Sequence, residues 1–267
     1  MRKYLAFFRL RFSMGLQYRA AALSGVITQF AWGVMEILMF RAFYRADAEA
    51  FPMTFQATAS YVWMQQAFLA LFMVWMMENE IFNSITDGNI AYELCRPVDI
   101  YNMWFARSLA NRLSRAVLRC MPILVVTIFL PAPYGLMRPV SFSAFLLFLL
   151  TLFLGLWVTA AFCMLIYMTC FFTISPMGVR MVATSVVEFF SGAVIPLPFF
   201  PDGFRQVAAL LPFASMQNVP LRIYSGDLAG KEMWQAVSLQ IFWLFALTFI
   251  GKLLNTLAMK KVTVQGG

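Results

Sequence analysis

Six long apolar stretches decide most of what this chain can fold into. They run over about residues 20–43, 59–77, 116–133, 142–174, 177–198 and 234–258. A lipid-spanning helix needs roughly 20 predominantly apolar residues, so each stretch is read as one span. Lipid offers the peptide groups no hydrogen-bond partners, and a helix satisfies them all within one segment. The expected fold class is therefore all-α: a polytopic membrane protein with six transmembrane helices, one transmembrane domain covering residues 1–267. The fourth stretch is unusually long. At 1.5 Å per residue it makes a helix of about 50 Å against a hydrocarbon core of about 30 Å, so it is expected to tilt or to project at its ends.

Composition supports this reading and narrows the chemistry. The chain is 62% hydrophobic and 12% charged, where soluble domains run near 45–50% and about 25%. That leaves too little charge to coat a water-facing surface, and no room outside the bilayer for a catalytic domain of ordinary size. Histidine is absent, which removes the commonest general base, the usual zinc ligand and every Ser-His-Asp or Cys-His arrangement. Cys95, Cys120, Cys163 and Cys170 show no C-x-x-C spacing, and three sit in apolar context; they read as small buried hydrophobes with no disulfide or metal site. Phenylalanine and methionine are abundant, at 29 and 19 residues. Lipid-facing side chains account for most of them, with a drug-binding surface as the alternative. Trp234 and Trp63 read as interfacial anchors.

The distribution of basic residues orients the spans. With six spans and both ends on one face, that face carries Arg2, Lys3, Arg9, Arg11, Arg19, Arg96, Arg107, Arg112, Arg115, Arg119, Arg180, Lys252, Lys260 and Lys261. The other face carries Arg41, Arg45, Arg138, Arg205, Arg222 and Lys231. Cytoplasmic loops hold the excess of Lys and Arg, so both termini are expected in the cytoplasm. Dividing the fourth stretch into two spans would move Arg180 and the last three lysines across and erase the bias. The net charge of +8 thus reflects membrane orientation, and no nucleic-acid partner is expected.

Outside the spans, three segments stand out. Residues 1–19 place Arg2, Lys3, Arg9, Ser13 and Gln17 on one arc of a helical wheel and Tyr4, Phe8, Phe12 and Leu16 opposite, with Arg11 off-face. That is an amphipathic helix lying in the membrane surface, and its interrupting arginines argue against a cleaved targeting segment. The cytoplasmic loop 78–115 contains Asp87-Gly88, a turn signal, then Ile90 and Leu94 at i,i+4 on a short helix that Pro97 ends. An apolar ridge facing the cytoplasm suggests a docking partner. The external loop 199–233 has short apolar runs broken by Pro201, Pro212 and Pro220; these are too short to span and predict interfacial or re-entrant helices before the last span.

The pattern Asp87-Gly88-x-Ile90-x-x-x-Leu94-x-Arg96-Pro97 after the second of six spans, behind a basic amphipathic leader and ahead of a Pro-rich outer loop, resembles the membrane subunit of an ABC-2-type ABC exporter. The resemblance implies that Asp87, Gly88, Ile90, Leu94, Arg96 and Pro97 form the cytoplasmic coupling helix that contacts a separate ABC ATPase, and that the surface helix supports the same contact. It also implies a permease in the cell inner (plasma) membrane that pairs with a second copy or a related permease. The chain itself is then no enzyme and binds no cofactor, ATP and magnesium belonging to the partner ATPase. Its own sequence agrees: Gly230-Lys231 is followed by Glu232 and Gly251-Lys252 by Leu253, so neither is a phosphate loop.

Two acids lie within apolar stretches, Glu36 in the first and Glu188 in the fifth. An ionised side chain at the bilayer centre costs several kcal/mol, so such residues face the bundle interior and mark a pathway or a pair. One reading places both on the translocation path. The other has Glu36 reaching outward toward Arg41, and Glu188 protonated or bonded to a hydroxyl such as Ser185. Small residues around Ala183, Ser191, Gly192 and Ala193 would allow close helix approach. A stand-alone ion-coupled carrier or channel, with the two acids as coupling sites, is the alternative function. It would be expected to show repeated halves and broken helices at mid-membrane, which the sequence does not display. An intramembrane enzyme is a third class, for which the acids are too dispersed.

Overall fold

The computed structural model describes residues 2–173 and 175–260. Ile174 at the end of the fourth apolar stretch, Lys261 and the rest of the expected cytoplasmic C-terminus, and Met1 of the surface helix lie outside the described residues. Every element among those described is helical. In chain order they are α1 (Arg2–Leu16), α2 (Arg19–Ala46), α3 (Phe55–Ala67), α4 (Leu69–Phe72), α5 (Asn79–Thr86), α6 (Ile90–Leu94), α7 (Ile100–Ile128), α8 (Phe142–Thr169), α9 (Pro176–Phe190), α10 (Asp202–Leu210), α11 (Asn218–Ser225) and α12 (Gly230–Met259).

All six apolar stretches are helical over most of their length. Three helical segments, Arg19–Ala46, Phe142–Phe172 and Gly230–Met259, have the length and composition to cross a membrane alone. The other stretches depart from a simple span for visible reasons. The second breaks twice, at Phe68 between α3 and α4 and at Met73, whose backbone turns extended before a 3-10 turn over Val74–Met76. The third forms only the last part of α7, which begins 16 residues earlier, at Ile100 rather than Ala116. The fifth yields the 15-residue α9. The long fourth stretch forms one continuous helix, α8, ending in a 3-10 turn through Phe172.

The segment 78–115 is therefore only partly a loop. Its first part carries α5 and α6, and Asp99 then caps α7 by accepting from the Asn102 N–H at 2.8 Å. Residues 100–115 extend the helix because their arginines and apolar residues alternate at helical spacing; hydropathy alone does not register this.

Packing places α8 at the centre. Phe148, Leu156, Ala160, Met164 and Tyr167 are fully buried along it, with α12, α11, α7 and α4 around it. Between helices in lipid, close packing and hydrogen bonds replace the hydrophobic drive. On α12, Gln240 Nε2 donates to Thr151 O at 2.9 Å and to Ser215 O at 2.8 Å, joining α12, α8 and the segment before α11. A Cβ at Gly155 would collide with Met216 O, so glycine lets that segment approach α8. Residues 199–233 do carry short helices, α10 and α11. α11 is buried against α8 and α3. Trp63, read from sequence as an interfacial anchor, is buried instead, and its indole N–H donates to Tyr134 O at 2.7 Å. Trp234 is exposed. Cys120, Cys163 and Cys170 are buried and Cys95 is exposed.

Helix α1 lies along α7. Its half-buried positions are Tyr4, Phe7, Phe8, Arg11, Phe12, Gly15 and Leu16, the spacing of one helix face. Arg11, off-face in the lipid-surface reading, belongs to this protein-facing side. A Cβ at Gly15 would collide with Ser114 Oγ of α7, so this glycine sets how closely the two helices pack.

Candidate functional site

The segment 87–97 sits at the end of the bundle where α1, α5 and the start of α7 meet. Gly88 adopts a left-handed φ of +74°, which a Cβ-bearing residue resists, and this turn separates α5 from α6. Asp87, Gly88, Leu94, Arg96 and Pro97 are exposed, whereas Ile90 is 5% exposed and belongs to the core with Ile81, Tyr101 and Trp104. The ridge expected from Ile90 and Leu94 is thus divided: Ile90 anchors α6 inward. The exposed apolar side chains here are Tyr92 and Leu94, at 76% and 38%.

Three hydrogen bonds tie this segment to the long helices. Glu93 Oε2 accepts from Trp104 Nε1 at 2.5 Å, Pro97 O accepts from Lys3 Nζ at 2.6 Å, and Tyr4 OH accepts from the Asp99 N–H at 3.0 Å. Just upstream, residues 75–80 form a crossroads. Glu80 pairs with Arg107 and, at 3.8 Å, with Arg11; Glu78 lies 3.6 Å from Arg107 and accepts from Asn111 at 2.7 Å. The Glu78 N–H donates to Tyr167 OH at 2.7 Å, and Arg180 donates to Asn79 Oδ1 and Trp75 O, both at 2.7 Å. Helices α1, α7, α8 and α9 therefore converge on one short stretch. Burial against α7 and the neighbouring Arg107 lower the Arg11 pKa from its ordinary value, with Glu80 and Glu78 opposing; a guanidinium still stays charged at neutral pH. Arg112, 3% exposed, donates to Leu71 O at 3.1 Å and Met73 O at 2.9 Å. Those carbonyls lose their helical partners where the second stretch breaks, and the arginine supplies replacements.

Glu36 and Glu188 both line a cavity of about 840 Å³ between α2, α3 and α9. Glu36 Oε2 accepts from Gln66 Nε2 at 3.4 Å, not from Arg41, whose guanidinium lies 5.3 Å from the Tyr134 ring centre. Gly33 permits the pairing: a Cβ there would stand 2.7 Å from Trp63 Cζ3 and 3.2 Å from Gln66 Cγ, so α2 and α3 touch one turn from Glu36. No bond joins Glu188 to Ser185 among the described residues. The small residues after α9 form a turn held by α3, with Tyr61 OH donating to Gly192 O at 3.0 Å and Gln65 Nε2 to Ala193 O at 2.7 Å.

Sequence reasoning missed Gln29, Gln65, Gln66 and Arg119, which line the same cavity. The signal was present: Gln29 and Glu36 are seven residues apart on one face of α2, and an amide inside an apolar run calls for a partner. A second cleft, of about 420 Å³ and bordered by Arg11, Glu78, Glu80 and Arg107, shares Ala21 and Arg119 with the first. Among the described residues no cluster of three or more Cys, Asp or Glu forms a metal site.

Comparison with curated proteins finds no match. A family model described as ABC-2 family transporter protein matches residues 30–266, most of the chain. With three helices among the described residues long and apolar enough to cross a bilayer, the protein is a multi-pass membrane permease, and it belongs to the ABC-2 transporter family.

Proposed function

We propose that this chain is the permease subunit of an ATP-driven exporter in the cell inner (plasma) membrane, with six spans in a single membrane domain over residues 1–267 and both termini cytoplasmic. It works as a pair, with a second copy or a related permease, and is driven by separate ABC ATPase subunits that bind ATP and magnesium. Residues 87–97, with α1 beside them, receive the ATPase.

The observation that carries this reading is the set of ties between segment 87–97 and the long helices. A push on α6 is delivered to α7 through Glu93 and Trp104, and to α1 through Lys3 and Pro97. The crossroads at Glu78 and Glu80 spreads it to α8 and α9. ATP binding that favours one arrangement of the ATPases would thereby bias one arrangement of the permeases, a shift between two states driven by differential affinity. The cavity between α2, α3 and α9 is the piece of translocation path that each permease contributes.

The test is to purify the tagged chain from its native membrane and identify what accompanies it. A co-purifying subunit with a phosphate-binding loop, and ATP-dependent transport by inverted vesicles that vanadate stops, are expected. Transport that persists without ATP and collapses with an ion gradient would overturn the reading in favour of a stand-alone carrier.

A further inference from the structure

The cavity between α2, α3 and α9 has a chemical bias that specifies its ligand. Gln29 and Gln65 are each 3% exposed, yet Gln29 Nε2 and Oε1, Gln65 Oε1 and Glu36 Oε1 have no hydrogen-bond partner among the described residues. Buried polar atoms left in this state are costly, so a site that keeps several of them is built to pair them with something else. Two donors on the lining remain open, Gln29 Nε2 and Arg119 Nε, and the other amide donors are engaged. Gln65 Nε2 is taken by Ala193 O and Gln66 Nε2 by Glu36. What remains open is mostly acceptor: one oxygen each of Glu36 and Gln65, the Gln29 amide oxygen and the Glu188 carboxylate.

The cation of the cavity stands apart from these acceptors. Arg119 packs at Gly25, where a Cβ would lie 2.5 Å from its Cζ. Gly25 and Glu36 are separated by about 16 Å along α2, at 1.5 Å per residue. Among the described residues no cation pairs with Glu36. The cavity walls include Trp32, Trp75, Met35, Met39 and Met73, aromatic faces that attract cations and flexible thioethers that adapt to apolar shapes. A volume of about 840 Å³ suits a small organic molecule.

From this geometry we infer that the cavity binds an amphipathic organic monocation: a positively charged, N–H-donating head held by Glu36, Glu188, Gln29 and Gln65, on an apolar and partly aromatic body lying against the tryptophan and methionine walls. The inference rests on the permease reading and adds to it the class of substrate.

Ethidium serves as the probe, since it is a monocation with aromatic amine donors and its fluorescence rises on burial. It is titrated into the full chain, with whatever ATPase accompanies it, in phosphatidylcholine nanodiscs, with empty nanodiscs subtracted. Saturable binding is expected, weakened at least tenfold by Glu36→Gln with Glu188→Gln and several-fold by Gln29→Leu. The anionic amphiphile 8-anilino-1-naphthalenesulfonate is expected neither to bind saturably nor to compete. That comparison uses the unmodified protein and so holds even where a variant fails to insert. Equal binding of the anion, absence of saturable ethidium binding, or ethidium affinity unchanged in the double variant would overturn the proposal. ATPase association is read separately. Cation-selective binding without an ATPase sinks the ABC coupling and leaves the site standing; charge-blind binding with an active ATPase does the reverse.

Discussion

Glu93, in the middle of the five-residue α6, accepts a hydrogen bond of 2.5 Å from the indole N–H of Trp104, one turn into α7. Trp104 is fully buried and packs between Tyr167 and Phe171 of the α8 end. A helix as short as α6 has no stability of its own; this bond and the burial of Ile90 hold it in place. The exposed side of the segment is thus presented on a fixed base, which suits the proposed coupling role.

Trp104→Phe keeps the apolar ring and removes the donor. A hydrogen bond to a charged acceptor is worth about 1.5–3 kcal/mol, enough to loosen α6 without unfolding the bundle. The expected result is normal membrane insertion with a several-fold drop in substrate-stimulated ATP hydrolysis by the associated ATPase. Unchanged stimulation in a well-folded variant would show that α6 transmits nothing through α7.

The burial of Ile90 separates two effects that sequence alone joined. Tyr92→Asp with Leu94→Asp alters only exposed side chains, so folding should persist while co-purification of the ATPase weakens by tenfold or more. Ile90→Asp places a carboxylate in the core beside Tyr101 and Trp104, and should lower the yield of folded protein, as charge burial does. Retention of the ATPase by the Tyr92/Leu94 variant would reduce residues 87–97 to a connector.

The elements that could be read from sequence are those whose signal is local. Long apolar runs give α2, α8 and α12, the Asp87-Gly88 turn is present, α10 falls between Pro201 and Pro212, and Pro220 sits in the first turn of α11. What escaped reading depends on partners distant in sequence. Arg11 looked misplaced on a lipid-facing wheel because its partner, Glu80, comes from another helix. Residues 100–115 looked like loop because hydropathy averages away an amphipathic helix whose arginines are buried by neighbours. At the candidate site, Glu36 and Glu188 were found because acids are conspicuous in apolar runs. Gln29, Gln65 and Gln66 were not, since an uncharged amide raises no alarm until its partners are counted.

Gly15 tests whether α1 belongs to the protein or only to the membrane surface. Any β-carbon there meets the Ser114 hydroxyl, and overpacking of a tight contact costs about 1–3 kcal/mol. Gly15→Val should displace α1 from α7, lower the melting temperature of the purified protein by several degrees and expose residues 2–16 to protease. Gly15→Val with Ser114→Gly restores space and should recover part of the loss. A variant as stable and as protected as the parent would mean that α1 does not pack on α7.

Orientation in the membrane is testable with a thiol the chain already carries. Cys95 is exposed beside α6, while Cys120, Cys163 and Cys170 are buried, so an impermeant maleimide has one native target among the four. The proposed orientation, resting on the excess of arginine and lysine around α1 and residues 96–119, puts this end in the cytoplasm. Cys95 should therefore resist the reagent in intact cells and react in inverted vesicles. The opposite end needs an introduced thiol, and Asp202 suits it. Its side chain is 81% exposed and pairs only with Arg205, at 2.6 Å, a surface ion pair worth at most about 1 kcal/mol, so Asp202→Cys should not disturb the fold. With Cys95→Ser in the same chain, Asp202→Cys should react in intact cells. The two positions answer oppositely if an odd number of crossings separates them, as the proposed six-span topology expects. Labelling of both from the same side would remove one span, and α9, only 15 residues long, would be the first to be reassigned.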